Sequence, residues 1–396
     1  MKSLHWAAVG MIVTAALAGC KGFWDLPASS GGTTTTSTDL SSGHFYILDS
    51  STNEIVSYYI NAGTLTLAGT VAVPTGSIAI TVAPNDQLLY VSTLEGIYLY
   101  TISNGLLTEG NSSQPITNDP AVAMQVDATN SWLVETSGTG TLSAIPIITT
   151  GSTIGQLNSS RGNCPGQSTV SVVCTVPLTG STVHQLAISP NNQYIFVACA
   201  TNGTEAFGFD DASNGNPFGS ASYGTITPIT NNGTGAALSV AVDPTNRVLY
   251  VGEAAAVNSS GGLRVFTIGT SGALAEISGS PYSSGGVGPH AILPIADGDD
   301  VYVANWTGST SAGNITGFSI SNANSTFSLT ALSNPVKTGA EPNALVQDSD
   351  GNFVLAVNAG GGPNFDAYFF DTTTEGQLDL TITSTAYAGT ALAANH

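Results

Sequence analysis

Residues 239–251 read SVAVDPTNRVLYV, and this stretch decides the fold. An apolar segment leads into Asp243-Pro244-Thr245-Asn246. Proline fixes one backbone angle, and Asp and Asn bond to nearby backbone groups, so these four residues predict a tight turn. The apolar residues that follow predict a second strand. The stretch therefore predicts two antiparallel strands joined by a turn.

The same pattern recurs along nearly the whole chain. Seven apolar triplets resemble Leu249-Tyr250-Val251, and their middle residues lie 44, 43, 63, 54, 52 and 53 residues apart. A β-rich unit of about 40–50 residues repeated in this way is typical of a propeller blade. The seven middle residues are Tyr46, Tyr90, Leu133, Phe196, Tyr250, Tyr302 and Leu355.

A full unit contains four predicted strands. In the fifth unit, residues 263–268 alternate as a third strand does, and a turn at 269–272 precedes a fourth. The first unit lacks its first strand, but residues 389–395 resemble residues 235–241 and can supply it. We therefore predict an all-β fold over residues 44–396: a seven-bladed β-propeller of four-stranded antiparallel blades, closed by the C-terminal strand.

The N-terminus has the pattern of an export signal. Lys2 precedes an apolar run, residues 6–17, that is short for a membrane span, and Leu17-Ala18-Gly19-Cys20 resembles the bacterial lipobox. We predict a lipoprotein signal peptide at 1–20 with lipidation of Cys20; the alternative is an ordinary signal peptide. Residues 21–43, rich in Ser, Thr and Gly, are expected to be a flexible tether.

This arrangement predicts a lipid-anchored protein of the bacterial cell envelope. Lys21, rather than Asp, follows Cys20, which favours the outer membrane, on its periplasmic or surface side. The predicted partner at this end of the chain is the membrane itself. Nothing in the sequence indicates a cofactor, and we expect a monomer.

The charge balance narrows the classes of ligand. Six basic residues stand against 26 acidic ones, a formal net charge of −20. Nucleic-acid binding needs clustered Lys and Arg, so we exclude it. Phosphorylated substrates are also poorly served, because Arg and Lys are the usual partners of phosphate.

Three cysteines remain beyond Cys20. Cys164 and Cys174 lie ten residues apart in the long third unit, and outside the cytoplasm they can form a disulfide. The alternative is two free, partly buried thiols. Cys199 is expected to be a small buried hydrophobic residue. The chain has no C-x-x-C pair, so the sequence predicts no metal site.

Residues 84–92, PNDQLLYVS, look like the YVTN-type repeat. Over residues 44–396 the chain resembles the lactonase-like seven-bladed propellers, the family of bacterial 6-phosphogluconolactonase and the carboxymuconate-lactonising enzymes. The resemblance implies the propeller fold and, as one possibility, lactone hydrolysis. Two segments depart from the family pattern: residues 198–202 lack its acidic residues, and Gly252-Glu253 stands where its members often have Asn-Arg.

Candidate site residues follow from equal offsets along the units. Positions twelve before and three after each middle residue should meet at one mouth of the channel, because the first two strands run antiparallel. The resemblance implies that His184 is an acid/base residue, which Glu253 could assist. The predicted binding rim consists of His290, Asn305, Asn343, Asp49, Asn358 and Trp306.

Each of these assignments has a structural alternative. The two histidines could merely form hydrogen bonds at strand ends, and Trp306 could pack rather than stack on a sugar ring. For the whole chain we predict an envelope binding protein that uses this rim for a glycan, a peptide, a protein or a small neutral ligand. The alternative is a lactonase acting on a neutral lactone with a His184–Glu253 acid-base pair.

The lipid anchor can be tested directly. Cys20→Ser should move the protein from the membrane to the soluble fraction, because it removes the only acyl attachment that the sequence predicts. Fractionation followed by immunoblotting measures this shift, with Cys199→Ser as the control. A Cys20→Ser protein that stays in the membrane fraction contradicts the prediction.

Overall fold

The chain folds into antiparallel sheets built from strands that are neighbours in sequence. The computed structural model describes residues 41–164, 171–212, 215–218, 222–228, 235–254, 261–307, 311–323, 326–332 and 334–396. The predicted signal peptide, Cys20 and most of the predicted tether lie outside these ranges. In the described part, helical structure is limited to the 3-10 turns Asn111–Ser113 and Ser159–Arg161, and no helix could span a membrane.

Three sheets cover the first half of the described chain. Sheet A has the order β29-β1-β2-β3, and sheets B and C contain β4 to β7 and β8 to β11. Their strands are β1 (Phe45–Asp49), β2 (Glu54–Asn61), β3 (Thr64–Ala72), β4 (Ser77–Val82), β5 (Leu88–Thr93), β6 (Gly96–Ser103), β7 (Leu106–Glu109), β8 (Ala121–Val126), β9 (Trp132–Ser137), β10 (Thr141–Pro146) and β11 (Cys174–Pro177).

Three further sheets cover the second half. Sheet D contains β12 to β15, sheet E contains β16 to β19 with β20 beside β18, and sheet F contains β21 to β28. Their strands are β12 (Gln185–Ile188), β13 (Tyr194–Ala198), β14 (Thr204–Gly208), β15 (Ser222–Ile226), β16 (Ala237–Val242), β17 (Val248–Glu253), β18 (Gly262–Ile268), β19 (Leu274–Glu276), β20 (Tyr282–Ser283), β21 (Gly288–Pro294), β22 (Asp300–Trp306), β23 (Ala312–Ala323), β24 (Thr326–Ala331), β25 (Val336–Gln347), β26 (Phe353–Gly361), β27 (Phe365–Phe370), β28 (Leu378–Ser384) and, in sheet A, β29 (Gly389–Ala394).

The all-β prediction is confirmed, and most sheets have the predicted four antiparallel strands. Sheet F is eight-stranded because β23 pairs with both β24 and β25, which joins the runs β21–β24 and β25–β28. These blade-like sheets are compatible with a β-propeller.

The predicted tight turns are held by their first and fourth residues. Asp243 Oδ1 accepts hydrogen bonds from the backbone N–H groups of Arg247 (2.5 Å) and Val248 (2.8 Å). Asn246 has φ 61°, a left-handed conformation that Asn, Asp and Gly tolerate. Its side chain also accepts a bond from Asn191 N–H in sheet D at 2.8 Å. In the corresponding turns of the other units the fourth residue also has a positive φ; these residues are Asp86, Asn130, Asn192, Gly298 and Gly351.

The last strand pairs with the first. β29 runs antiparallel to β1, with Tyr46 opposite Ala393 and Ile47 opposite Leu392. Asp49 Oδ2 also accepts a hydrogen bond from Ala388 N–H at 3.0 Å, just before β29. The C-terminal segment therefore forms one edge of the sheet that the first strand begins.

The core is divided among clusters that each join two successive groups of strands. In the described residues there are seven such clusters. Leu249 and Val251 pack toward sheet D, whereas Val248 and Tyr250 pack toward the run β21–β24. Alternate residues of one strand point to opposite faces, so the second strands are buried on both sides.

The third unit corrects the register taken from the sequence. Asp127 N–H bonds to Trp132 O as Asp243 N–H bonds to Val248 O, so Val134 rather than Leu133 corresponds to Tyr250. Because Trp132 is aromatic, the sequence pattern placed the middle residue of this unit one position too close to the N-terminus, at Leu133. The bulged residue of this unit is consequently Val122 and not Ala121.

The long third unit contains the disulfide. Cys164 and Cys174 are joined, with their Cα atoms 5.3 Å apart, while Cys199 is a free, buried thiol. Both bonded cysteines pack with Trp132 and with Phe218 of sheet D's connecting segment. The disulfide therefore fixes an insertion at the contact between sheets C and D.

Removal of the C-terminal strand tests its contribution. Deleting residues 389–396 should lower the free energy of unfolding by several kcal/mol, comparable with much of a domain's stability, because β1 becomes an open edge and Leu392 leaves the core. Chemical denaturation measures the change. Deleting only residues 395–396 is the matched control and should have a much smaller effect; equal stability of both truncations would contradict the prediction.

Candidate ligand site at the bulged strand ends

The first strands share an irregularity near their N-terminal ends. Six of the seven have one extra residue there, a β-bulge, opposite the end of the second strand. Bulges re-aim a side chain and are frequent beside active sites. The bulged residues are Ile78, Val122, Leu238, His290, Asn343 and Thr390.

His184 takes the corresponding place in sheet D. It lies directly before β12, and its N–H donates to Ala198 O at 3.0 Å. Ala198 also pairs with Gln185, the first residue of β12. Its ring is exposed. The positions twelve before the middle residues, predicted to share one location, thus have the same local backbone environment in most units.

The structure brings the two predicted histidines together. The ring centroids of His184 and His290 lie 6.4 Å apart with an interplanar angle of 89°, although the residues belong to sheets D and F. Gly288 lies against His290 and Leu238, and a Cβ atom there would come within 3.2 Å of the His290 ring. The two rings form the centre of the candidate site.

Trp306 fixes the orientation of His290. Its ring stacks on that of His290, with centroids 3.8 Å apart and an angle of 15°, and its Nε1–H donates to Pro342 O at 3.0 Å. One face of Trp306 is therefore covered by His290. The geometry favours the packing role for Trp306 over stacking on a sugar.

Asn343 continues this line of side chains to the C-terminal strand. Its Nδ2 donates to Thr390 O at 2.7 Å, and its Oδ1 is buried with no hydrogen-bond partner in the described part of the chain. A buried oxygen without a partner is costly unless water or a ligand satisfies it. Asn343 therefore presents an unpaired acceptor oxygen in sheet F, the sheet that also contains His290.

The neutral form is favoured in both imidazoles. Partial desolvation by the surrounding protein lowers the pKa of His184 although the residue is exposed, and burial together with the neighbouring His184 lowers the pKa of His290 to about 4. A neutral imidazole offers one N–H donor and one acceptor nitrogen. Within the described ranges no hydrogen bond from the protein reaches either ring, so both rings can serve a ligand.

The predicted rim residues at the ends of the second strands are buried instead. Asp49, Asn305 and Asn358 are at most 1% exposed. Asp49 Oδ1 accepts from Ser51 N–H at 2.9 Å, and Asn358 Nδ2 donates to Asp366 Oδ2 at 2.8 Å. These side chains brace the connection to the third strand and do not line an open mouth.

Glu253 has a similar bracing role. Its Oε1 forms a 3.0 Å ion pair with Arg264, which also makes a bidentate pair with Glu276 at 2.9 and 2.7 Å. Glu253 and Arg264 are 5% and 7% exposed. A carboxylate held in this way is poorly placed to act as a free partner of His184.

Sequence reasoning overlooked Arg264. None of the predicted site residues is an arginine, whereas Arg264 bonds directly to one of them, Glu253. The sequence did contain a signal: Arg264 lies inside the apolar third strand, in a chain with only six basic residues. A charged side chain in such a position is rarely buried without a partner of opposite charge. The partner could not be chosen among 26 acidic residues without the strand register.

Comparison with known proteins supports the fold alone. No protein-family model and no curated protein matches the chain. A Lactobacillus plantarum protein is similar in structure at 17% identity and TM-score 0.63, over 89% of this chain and 99% of that one. A functionally unknown Desulfotomaculum acetoxidans protein aligns at 12% identity and TM-score 0.60, over 90% and 100%. Kuenenia stuttgartiensis hydrazine synthase aligns at 13% identity and TM-score 0.55, over 82% and 94%.

The Glu253–Arg264 pair yields a stability prediction. Arg264→Met should destabilise the protein by about 3–5 kcal/mol, because it leaves Glu253 buried without its cation. Arg247→Met is the matched control: Arg247 is 41% exposed and pairs with Asp243 at 3.4 Å, so its loss should cost at most about 1 kcal/mol. Denaturant titration measures both, and a similar small loss in the two variants would show that the buried pair is not structural.

Proposed function

We propose that the described part of the chain is a seven-bladed β-propeller closed by its C-terminal strand. In this proposal sheets A to E are five blades, and the runs β21–β24 and β25–β28 of sheet F are the sixth and seventh. The similarity to three solved structures over 82% or more of the chain is consistent with one continuous repeat fold.

The order of contacts between first strands supports this arrangement. β29 contacts β4, β4 contacts β8, β8 contacts β12 and β12 contacts β16; β16 then contacts β21, β21 contacts β25, and β25 contacts β29. The core clusters follow the same cyclic order, and one of them joins Phe45 and Leu392 of sheet A to Phe353 of β26. A cyclic order of neighbours is what a closed propeller requires.

We further propose that the protein is a lipid-anchored binding protein of the bacterial cell envelope. Its ligand is expected to lie at the mouth where the bulged residues converge. The observation that carries this proposal is the meeting of His184 with His290, whose ring is fixed by Trp306. Side chains held in one orientation without protein partners for their nitrogens are suited to binding.

The histidine pair favours an uncharged ligand. The bulged residues and His184 carry no charge at pH 7, and the chain as a whole is strongly anionic. An anion would meet no basic side chain among these residues. A glycan, a peptide or a small neutral molecule therefore remains the expected class of ligand.

The lactonase alternative has less support. General acid-base catalysis needs a proton carrier oriented by a second group, and the proposed assistant Glu253 is engaged by Arg264. His290 is stacked on Trp306 rather than bonded to a carboxylate. The geometry thus favours recognition over hydrolysis.

One experiment compares the two functions. The full chain is tested against a panel of neutral oligosaccharides, peptides and lactones, with binding and lactone hydrolysis recorded in parallel. We expect binding without hydrolysis, and a loss of about 2–12-fold in affinity for His184→Ala, which corresponds to one neutral hydrogen bond of about 0.5–1.5 kcal/mol.

His44→Ala is the matched control, because His44 is a half-buried histidine outside the proposed site, with its ring centroid 5.3 Å from that of Tyr59. Lactone turnover that falls by about 10²–10⁴ in His184→Ala would establish the lactonase alternative. Failure to bind any member of the panel would contradict the binding proposal.

A further inference from the structure

Two histidines far apart in sequence come into contact in a site that no motif marks. His184 precedes β12 and His290 is the bulged residue of β21, and their ring centroids lie 6.4 Å apart. Imidazole nitrogen is the commonest protein ligand for zinc, copper and nickel. Since neither ring has a protein hydrogen bond in the described ranges, neither is committed to another partner.

The two rings lie close enough to share an ion after a small movement of one ring. Metal–nitrogen bonds of about 2.0–2.1 Å in the tetrahedral geometry of zinc place two ring centroids roughly 5 Å apart. The observed separation of 6.4 Å is longer than this, so His184 has to turn toward His290 for both rings to bind one ion. The exposed ring of His184 can rotate toward His290, whereas Trp306 holds His290 in place.

The surroundings also resemble those of an open metal site. Ligating histidines are commonly held in orientation by a neighbouring group, and here the stacking of Trp306, itself bonded to Pro342 O, holds one ring. No cluster of three or more His, Cys, Asp or Glu side chains in the described residues could hold an ion. A two-histidine site has one protein ligand fewer than a catalytic zinc site, so its remaining coordination positions would be filled by water or a ligand.

We propose that His184 and His290 together bind one divalent transition-metal ion of the zinc, copper and nickel class. This goes beyond the proposed function, because the ion requires only the contact between the two rings. The sequence could not reveal it, since the residues are separated by more than one hundred positions and share no metal-binding spacing.

Titration of the full chain with ZnCl₂ tests the site by calorimetry, using protein without a polyhistidine tag. We expect one ion per chain. His184→Ala and His290→Gln should each weaken binding at least about tenfold, because loss of even an outer-shell partner costs 10–100-fold in metal affinity. His44→Ala, the matched control, should bind as the wild type does.

Trp306 provides an independent reading. Ni²⁺ bound to His290 should quench the fluorescence of the stacked indole, and Trp306→Phe should abolish that quenching while calorimetric binding of Zn²⁺ persists. Circular dichroism checks that each variant is folded. The proposal is overturned if no ion binds, if both histidine variants bind as the wild type does, or if His44→Ala weakens binding as much as they do.

Discussion

The structure depends on the burial of each second strand on both faces. Leu249 and Val251 enter the cluster shared with sheet D, and Val248 and Tyr250 enter the cluster shared with the run β21–β24. A four-stranded sheet with two apolar faces cannot be stable alone, so every sheet needs a neighbour on each side. Pairing of β29 with β1 follows from the same requirement, because Leu392 completes the cluster between the first sheet and the last strands.

The candidate site results from the way the first strands begin. The ladder between first and second strands is regular until one or two pairs from its end, where one extra residue turns its side chain out of the register. At the adjacent strand end the polar residue stays buried and braces the next connection, as Asn358 does with Asp366. The bulged residue and the buried polar residue lie at neighbouring positions but have different roles. The bulged residue directs its side chain toward the candidate site, whereas the buried polar residue stabilises the backbone of the next connection.

The sequence predicted the repeat, the turn positions and the residue twelve before each middle residue, because all three follow from fixed spacing along a strand. Spacing failed in the third unit, where Leu133 was taken as the middle residue because the aromatic Trp132 precedes it, and the true equivalent is Val134. It also failed at Glu253, because equal offsets place a residue at a strand end but do not say whether its side chain faces water or an arginine. Contacts between sheets, such as His184 with His290, depend on the arrangement of whole sheets and have no local signal.

The site and the C-terminal strand are physically connected. Trp306 on β22 stacks on His290 and bonds to Pro342 O, the next residue, Asn343, bonds to Thr390 O, and Thr390 Oγ1 donates to Leu48 O at 3.1 Å. This series of contacts leads from the histidine pair through β25 to the pairing of β29 with β1. Anything that binds His290 in its present orientation also stabilises this series, because it binds the folded and not the unfolded chain. Occupation of the site and retention of the C-terminal strand are therefore expected to reinforce each other.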